Sequence, residues 1–298
     1  MTATAAPLPA LAPPRRATAL ARRLAWLAVI WGLPGLFILV PLLTFLVYGF
    51  WRVEGAEIVA DFTLANYVNF LSNETYPRVF LRTLGLALQV MAINVVLGYA
   101  TAYFLAQIRG RTRYLLVLAL IVPLLMSYII KVYAMRGLLG ANGLLNQALM
   151  FVGVLDRPSN LFLFNLTAVL ITLTVVLLPF VVLPVFIALE RIPRSYVDAS
   201  ADLGATPWRT FRHVVLPLSL PGTVVGAMFC FVLAVGDFLA PQLVGGTRGF
   251  TYGRVVFSQF GMAFNWPFGA ALSVILLAVA MTVIGVAGRL GNPRWMRR

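Results

Sequence analysis

Charge is scarce in this sequence. Asp, Glu, Lys and Arg together make up 11% of the 298 residues, whereas soluble domains run near about 25%. That shortage excludes a soluble enzyme. Cysteine and histidine are nearly absent, with Cys230 and His213 the single examples of each. A lone cysteine excludes a disulfide within the chain, and no Cys/His cluster exists to hold a structural or catalytic metal. Cys230 lies in an apolar run and reads as a small buried hydrophobe. Lysine also occurs once, at Lys131 in an apolar setting. No G-x-x-x-x-G-K-[ST] phosphate loop is therefore present, and the chain has no recognisable ATP site. Nor do the nine acids include a catalytic carboxylate pair or a nucleophile–base set.

Apolar residues dominate instead, at 61%. Runs of 18 or more apolar residues recur, which is the signature of a polytopic membrane protein. The expected fold class is all-α, with six spans. They are placed at about Leu24 to Phe50, Val79 to Ile108, Tyr114 to Met135, Leu161 to Leu189, Leu216 to Ala240 and Phe268 to Leu290. Each is long enough to cross roughly 30 Å of hydrocarbon. Prolines punctuate them (Pro34, Pro41, Pro123, Pro179 and Pro184), and each removes a backbone donor and tends to kink its helix. Residues 1–23 are Ala/Pro-rich and then basic, and read as a disordered cytoplasmic tail ahead of a membrane domain over 24–298. The first apolar run is too long for a signal-peptide core and reads as an uncleaved span.

The net charge of +14 suggests nucleic acid until its placement is considered. With the N-terminus in the cytoplasm, 15 of the 23 Lys and Arg fall on cytoplasmic segments, among them Arg109, Arg111, Arg113, Arg191 and Arg194. The other face holds eight basic residues and five of the nine acids. The excess is therefore a topology signal that sets both termini on the cytoplasmic side of the membrane, and nucleic acid is not a partner. On the outer side, Trp51 to Tyr76 is polar enough to fold over the surface. Gly140 to Leu155 and Arg254 to Phe264 each carry a short apolar stretch suited to an interfacial helix, capping a chamber or lying on lipid.

One cytoplasmic loop is too elaborate for a connector. "DASADLGATPWRTFRHVVLPLSLPG" runs from Asp198 to Gly222. Ser195 can N-cap a helix starting at Tyr196, with Asp198 at the capping-box position. Gly204 suits the left-handed stop. Thr206 and Pro207 form a second start, and Pro217 and Pro221 should break the second helix as the fifth span begins. Trp208, Phe211 and Val215 offer aromatic and apolar surface, either as anchors for a pocket on another protein or as packing against the chain's own helix ends.

Asp198-Ala199-Ser200, three residues, Gly204, then "VVLPLSLPG" resembles the EAA loop of ABC importer permeases. The resemblance implies a type I importer permease fold with a coupling loop over about 195–222. In it, Asp198, Ala199, Ser200, Gly204, Ala205, Trp208, Phe211 and Pro217 would engage a cytoplasmic ATPase dimer. Asp198 stands in place of Glu and Ser200 in place of the second Ala. The resemblance extends over about Phe62 to Arg289. "GDFLAPQLVGG", "VPLLMSYIIKVYAMRGLLGANGLLN" and "FTLANYVNFL" are similar to the spermidine/putrescine-type branch, with Lys131 where that branch has Arg. It implies a second permease subunit, an external solute-binding protein, and no cofactor in this chain, since ATP and Mg²⁺ would be bound by the ATPase subunits.

Asp237 is the one acid inside an apolar span. A charge at a helix centre costs roughly 2.5–3.5 kcal/mol on insertion scales, so it faces a partner or a wet cavity. Asp237 either lines a path for an ammonium group or caps and pairs locally, with Lys131 or Arg82. Tyr128 and Tyr133 flank Lys131 and either offer ring faces to a cation or belong to the interfacial belt. Lys131 and Arg82 suit an anionic solute better than a polyamine. The alternatives are a stand-alone secondary transporter, for which Asp237 alone is thin ion-coupling support and which leaves the structured loop unexplained, and a membrane scaffold or receptor that docks a soluble protein at the same loop without transport.

Overall fold

The computed structural model describes residues 16–55 and 57–290. The expected tail over 1–23 thus lies outside the described residues up to position 15, and its remainder opens the first helix, α1 (Arg16–Leu27). A wide π-turn over Ala28–Gly32 leads into α2 (Leu33–Tyr48). Together they give a span over Arg22–Tyr48 that packs on the last helix and otherwise shows its side chains outward. A helix that is apolar all round suits lipid.

A short antiparallel hairpin follows, β1 (Arg52–Glu54) with β2 (Glu57–Val59), in the register Arg52↔Val59. Gly55 takes φ +63° in its turn, a conformation that favours glycine. Then come α3 (Ala65–Ser72) and the long α4 (Thr75–Gln107). So the polar segment after the first span does fold over one end of the molecule.

The expected third span is not one helix. α5 (Arg111–Leu125) and α6 (Tyr128–Leu139) meet at Met126 and Ser127, both extended (ψ 147° and 134°), and α5 is bent by 101° from the segment Tyr128–Phe151. Pro123, three residues before the break, already lacks the donor for the preceding turn. α7 (Leu144–Phe151) and a 3-10 turn over Asn160–Phe162 precede α8 (Leu166–Glu190). Asn165 caps α8, its carboxamide oxygen accepting from the Ala168 N–H at 2.8 Å. α8 runs unbroken through Pro179 and Pro184.

α9 (Arg194–Asp202) and α10 (Pro207–Thr210) form the loop pair. A π-turn over Phe211–Val215 then joins α10 to α11 (Leu216–Gly236) without a stop. The expected break at Pro217 and Pro221 does not occur. Pro217 falls in the first turn of α11, where a missing N–H is tolerated, and the wide turn ahead bonds Leu216 N–H to the Phe211 carbonyl. The fifth span therefore begins at Pro207. α12 (Tyr252–Gly261) and α13 (Trp266–Leu290) complete the described chain. Among the described residues five helices are long and apolar enough to cross a membrane, and six if the bent pair is counted as one span.

The core sits where α4, α8 and α11 pack on one another. Lipid supplies no hydrophobic contrast, so packing rests on close fit between small residues. Gly222 and Gly226 form a G-x-x-x-G stripe on α11. A β-carbon on Gly222 would meet the Pro184 carbonyl oxygen at 2.6 Å, and one on Gly226 would meet the Val181 Cα at 3.0 Å. Val181 also lies 2.9 Å from where Gly98 would carry a β-carbon. Val181 is thus clasped between glycines of two neighbouring helices. Cys230 is buried one turn further on, where Asn94 donates to its sulfur at 3.4 Å. A second cluster of Phe70, Tyr252, Val255, Phe268 and Leu272 holds α12 against α13 and α4.

Gly222→Val forces backbone apart, because the obstructing atoms are the Ala188 β-carbon and the Pro184 main-chain oxygen, neither of which can swing aside. It should destabilise the protein by about 1–3 kcal/mol. Gly236→Ala, with open space at that β-carbon, should leave the melting midpoint in detergent unchanged. Equal midpoints for the two variants would disprove the clasp.

Candidate functional site

Two places collect the residues singled out by sequence, one at each end of α11.

At the first end, α9 and α10 form a helix–turn–helix. The helix starts two residues earlier than expected, at Arg194 behind Pro193, and Ser195 does not cap it. The capping box therefore fails, because Pro193 holds the extended entry and Ser195 is already helical. The turn follows expectation. Gly204 has φ +77°, its N–H bonds to the Ala201 carbonyl at 2.9 Å, and Ala205 N–H reaches the Ser200 carbonyl at 3.1 Å. These two bonds are the Schellman closure. Thr206 caps the next helix by accepting from Arg209 N–H at 3.4 Å, with Pro207 in the first turn.

Across the turn, Ser200 Oγ and Thr210 Oγ1 share a hydrogen bond at 2.9 Å. Ser200, one of the two residues that depart from the family pattern, thus ties the two helices together. Asp198 and Ala199 are exposed on α9, and Asp198 makes no ion pair among the described residues. Ala205 and Pro217 are half-buried.

The aromatic surface divides. Trp208 is 66% exposed. Phe211 and Val215, read as possible projecting anchors, turn inward instead. Phe211 packs edge-on against Tyr103 and Tyr99 of α4, at 5.4 and 5.9 Å between centroids, and Val215 is buried. Helical spacing explains the split, since one face must seat α10 on α4. Leu203, at 88% exposure, joins Trp208 as outward apolar surface. Sequence reading passed over it as a helix-end residue.

Beneath the pair lies a cavity of about 660 Å³, lined by Tyr103, Gln107, Val197, Ala201, Ala205 and Thr210 among others. Arg113 and Glu190 on its wall form an ion pair, and the Arg113 guanidinium lies 5.0 Å from the Phe186 ring centroid. This pair brings the start of α5 to the end of α8. No spacing pattern announces it, because 77 positions separate the partners in sequence.

At the far end of α11, Asp237 follows Gly236 in an extended conformation. Its Oδ1 accepts from Ala240 N–H at 2.9 Å, and its Oδ2 accepts from the Tyr128 hydroxyl. The Lys131 ammonium lies 5.6 Å from the centroid of the Tyr128 ring. Tyr128 and Lys131 are three apart on α6 and share a face. Tyr133 stands on another face, exposed, and does not join. The expected ion pair between Asp237 and Lys131 or Arg82 is absent. Tyr128 intervenes at the carboxylate, and Arg82 donates instead to the Arg248 carbonyl at 2.7 Å. What the group presents is a half-buried carboxylate with two neutral donors, and a cation one ring away.

Comparison with known proteins places the chain. It is 35% identical over 263 residues to the spermidine/putrescine transport system permease protein PotB of Escherichia coli (strain K12), covering 87% of this chain and 95% of PotB. It is 36% identical over 265 residues to the inner membrane ABC transporter permease protein YdcU of the same organism, covering 84% of this chain and 83% of YdcU. Among solved structures, the fold matches a bacterial ABC transporter involved in the import of the acidic polysaccharide alginate. The TM-score is 0.70 at 14% identity, over 93% of this chain and 96% of that one. It also matches the MetNI methionine ABC transporter, at a TM-score of 0.55 and 23% identity, over 72% and 93%. Residues 8–297 match the family described as "Binding-protein-dependent transport system inner membrane component", and the chain belongs to that family.

Proposed function

We propose that this permease forms half of a membrane pathway for a polyamine or another small nitrogen-containing solute, and that α9 and α10 are its coupling element. One observation carries the reading: Pro207–Gly236 is a continuous helix. The exposed loop pair at one end and Asp237 at the other are therefore ends of one rod. The partners are an ATPase dimer in the cytoplasm, which binds ATP and Mg²⁺, a second permease chain, and an external solute-binding protein. The arginine distribution supports termini on the ATPase side.

Closure of the ATPases would push on Trp208, Leu203 and the acidic face of α9. α10 cannot yield alone, because Phe211 is seated on Tyr99 and Tyr103. The push would pass through the π-turn into α11, and α8 would follow through the Gly222 and Gly226 contacts. The pathway would then open alternately to the two sides. At the outer end, the Asp237 carboxylate would attract an ammonium group, with Tyr128 supplying a hydroxyl and a ring face. The resemblance to PotB supports that cargo class. Lys131 beside Tyr128 favours a second reading, a solute carrying a carboxylate or phosphonate.

Gly204→Pro cannot adopt φ +77° and loses the N–H bonded to Ala201. In the reconstituted complex it should abolish the stimulation of ATP hydrolysis by spermidine-loaded binding protein, while Gly204→Asn, which tolerates the left-handed region, should retain most of it. Wild-type stimulation in the proline variant would show the loop to be a mere connector.

Asp237→Asn should raise the spermidine concentration for half-maximal uptake about tenfold, equivalent to about 1.4 kcal/mol. Tyr128→Phe should give a smaller rise. Unchanged uptake in Asp237→Asn, with a loss in Lys131→Met, would transfer the assignment to an anionic solute.

A further inference from the structure

The opposite end of the molecule carries two kinds of charge. On the hairpin side, acids and bases pair. Arg52 bridges Glu54 and Asp61 at 2.8 and 3.2 Å, and Arg78 bridges Glu74 at 3.1 Å. On the other side, four arginines converge on one loop, and none of them forms an ion pair among the described residues.

The loop is Gly246–Thr251, between the π-turn Pro241–Gly245 and α12. Arg82, from α4, donates to the Arg248 carbonyl at 2.7 Å. Arg254, from α12, donates to the Gly246 carbonyl at 2.7 Å and lies 5.0 Å from the Phe250 ring centroid. Gly246, at φ +59°, backs onto Phe164, where an added β-carbon would meet the Phe164 β-carbon at 2.9 Å. Phe164 itself has φ +60° and its N–H bonds the Val244 carbonyl at 2.8 Å. Arg136, from α6, stacks its guanidinium 5.7 Å from the centroid of that same Phe164 ring. Arg248 rides on the loop itself and is exposed, as are Arg82 and Arg136.

Two of these guanidiniums are thus pinned by neutral carbonyls and a third by an aromatic face. Carbonyls orient a guanidinium without cancelling its charge, so the fold holds three positive groups in place beside the exposed Arg248, with their fields unspent. Such a patch calls for an anion.

Its position indicates which kind. Val244, Gly245, Gly249, Thr251 and Tyr252 beneath the loop are buried, and the neighbouring π-turn packs on α8 and α6. α8 is the most enclosed of the spans. The patch therefore crowns the middle of the helix bundle and not its lipid-facing rim, where α1 and α2 stand. A soluble macromolecule reaches that place more readily than a lipid headgroup. The charges are also strung along a loop across four elements, which suits an extended carboxylate-bearing protein face.

We propose that Arg82, Arg136, Arg248 and Arg254 form the docking patch for an acidic face of the solute-binding protein. This rests on the importer reading above. Opposed charge of this kind speeds encounter and fixes orientation, and it weakens with salt.

The test uses the full importer in nanodiscs, made once from zwitterionic lipid alone and once with phosphatidylglycerol. ATP hydrolysis is titrated with loaded binding protein. The double variant Arg136→Glu with Arg248→Glu leaves the two carbonyl-bonded arginines in place. It should raise the half-saturating concentration of binding protein about tenfold or more. The rise should occur in both lipids and shrink at high salt, with hydrolysis in the absence of binding protein unchanged. Arg136→Lys with Arg248→Lys, which keeps the charge, should restore most of the affinity. Arg78→Glu, outside the loop, should have little effect.

An unchanged half-saturation in the double variant overturns the patch while leaving the importer reading intact. A rise confined to phosphatidylglycerol discs overturns it in favour of a headgroup site. Slower solute uptake with unaltered binding-protein affinity overturns it in favour of a solute filter. Absence of stimulation in the wild type at every concentration of binding protein overturns the importer reading itself.

Discussion

Val181 held between Gly98 and Gly226 is the contact on which the rest of the molecule depends. In a bilayer, apolar side chains gain nothing by leaving lipid for one another, so helices stay together only where their backbones can approach closely. The two glycines permit that approach on both flanks of α8. Gly222 repeats it one turn toward the loop pair, directly against the Pro184 carbonyl. Without this seam α11 would be a free rod, and nothing done to its exposed end would reach α8 or α4.

Around the seam, the chain uses polar groups sparingly and at its ends. Ser200 with Thr210 ties the loop helices, Arg113 with Glu190 ties α5 to α8, and Tyr128 with Asp237 ties α6 to the end of α11. Each joins segments that the covalent chain leaves apart. Between these ties interior polar contacts are few: Tyr99 of α4 and Ser219 of α11 share a hydrogen bond at 2.8 Å, and Asn94 donates to Cys230 at 3.4 Å. A bundle built this way can tilt as blocks, since few interior hydrogen bonds oppose sliding.

Much of this was legible in the sequence. Apolar length gave the spans to within a few residues for most of them, because bilayer thickness fixes how long a span must be. The Gly204 turn and the Thr206-Pro207 start were legible too, since only certain residues satisfy those backbone geometries. In the third span Pro123 signalled a kink, but hydropathy is blind to direction, and neither Met126 nor Ser127 announces how sharply the chain turns there. The break expected at Pro217 failed for a different reason. A proline signals a missing donor, and a π-turn just ahead of it made that donor unnecessary. At the site, Asp237 stood out by its charge, but its partner Tyr128 lies 109 positions away, and no local pattern can name a partner across that distance.

The π-turn over Phe211–Val215 has a geometric consequence of its own. An α-helix advances about 100° per residue, so one extra residue in a turn rotates everything beyond it by that angle. The outward face of α10, with Trp208, and the inward face of α11, with Gly222, Gly226 and Cys230, are thereby set out of phase. A single uninterrupted helix would fix one orientation from the other. The inserted turn frees them: one part of the rod is clocked to its neighbours within the membrane, and the other to whatever meets it outside.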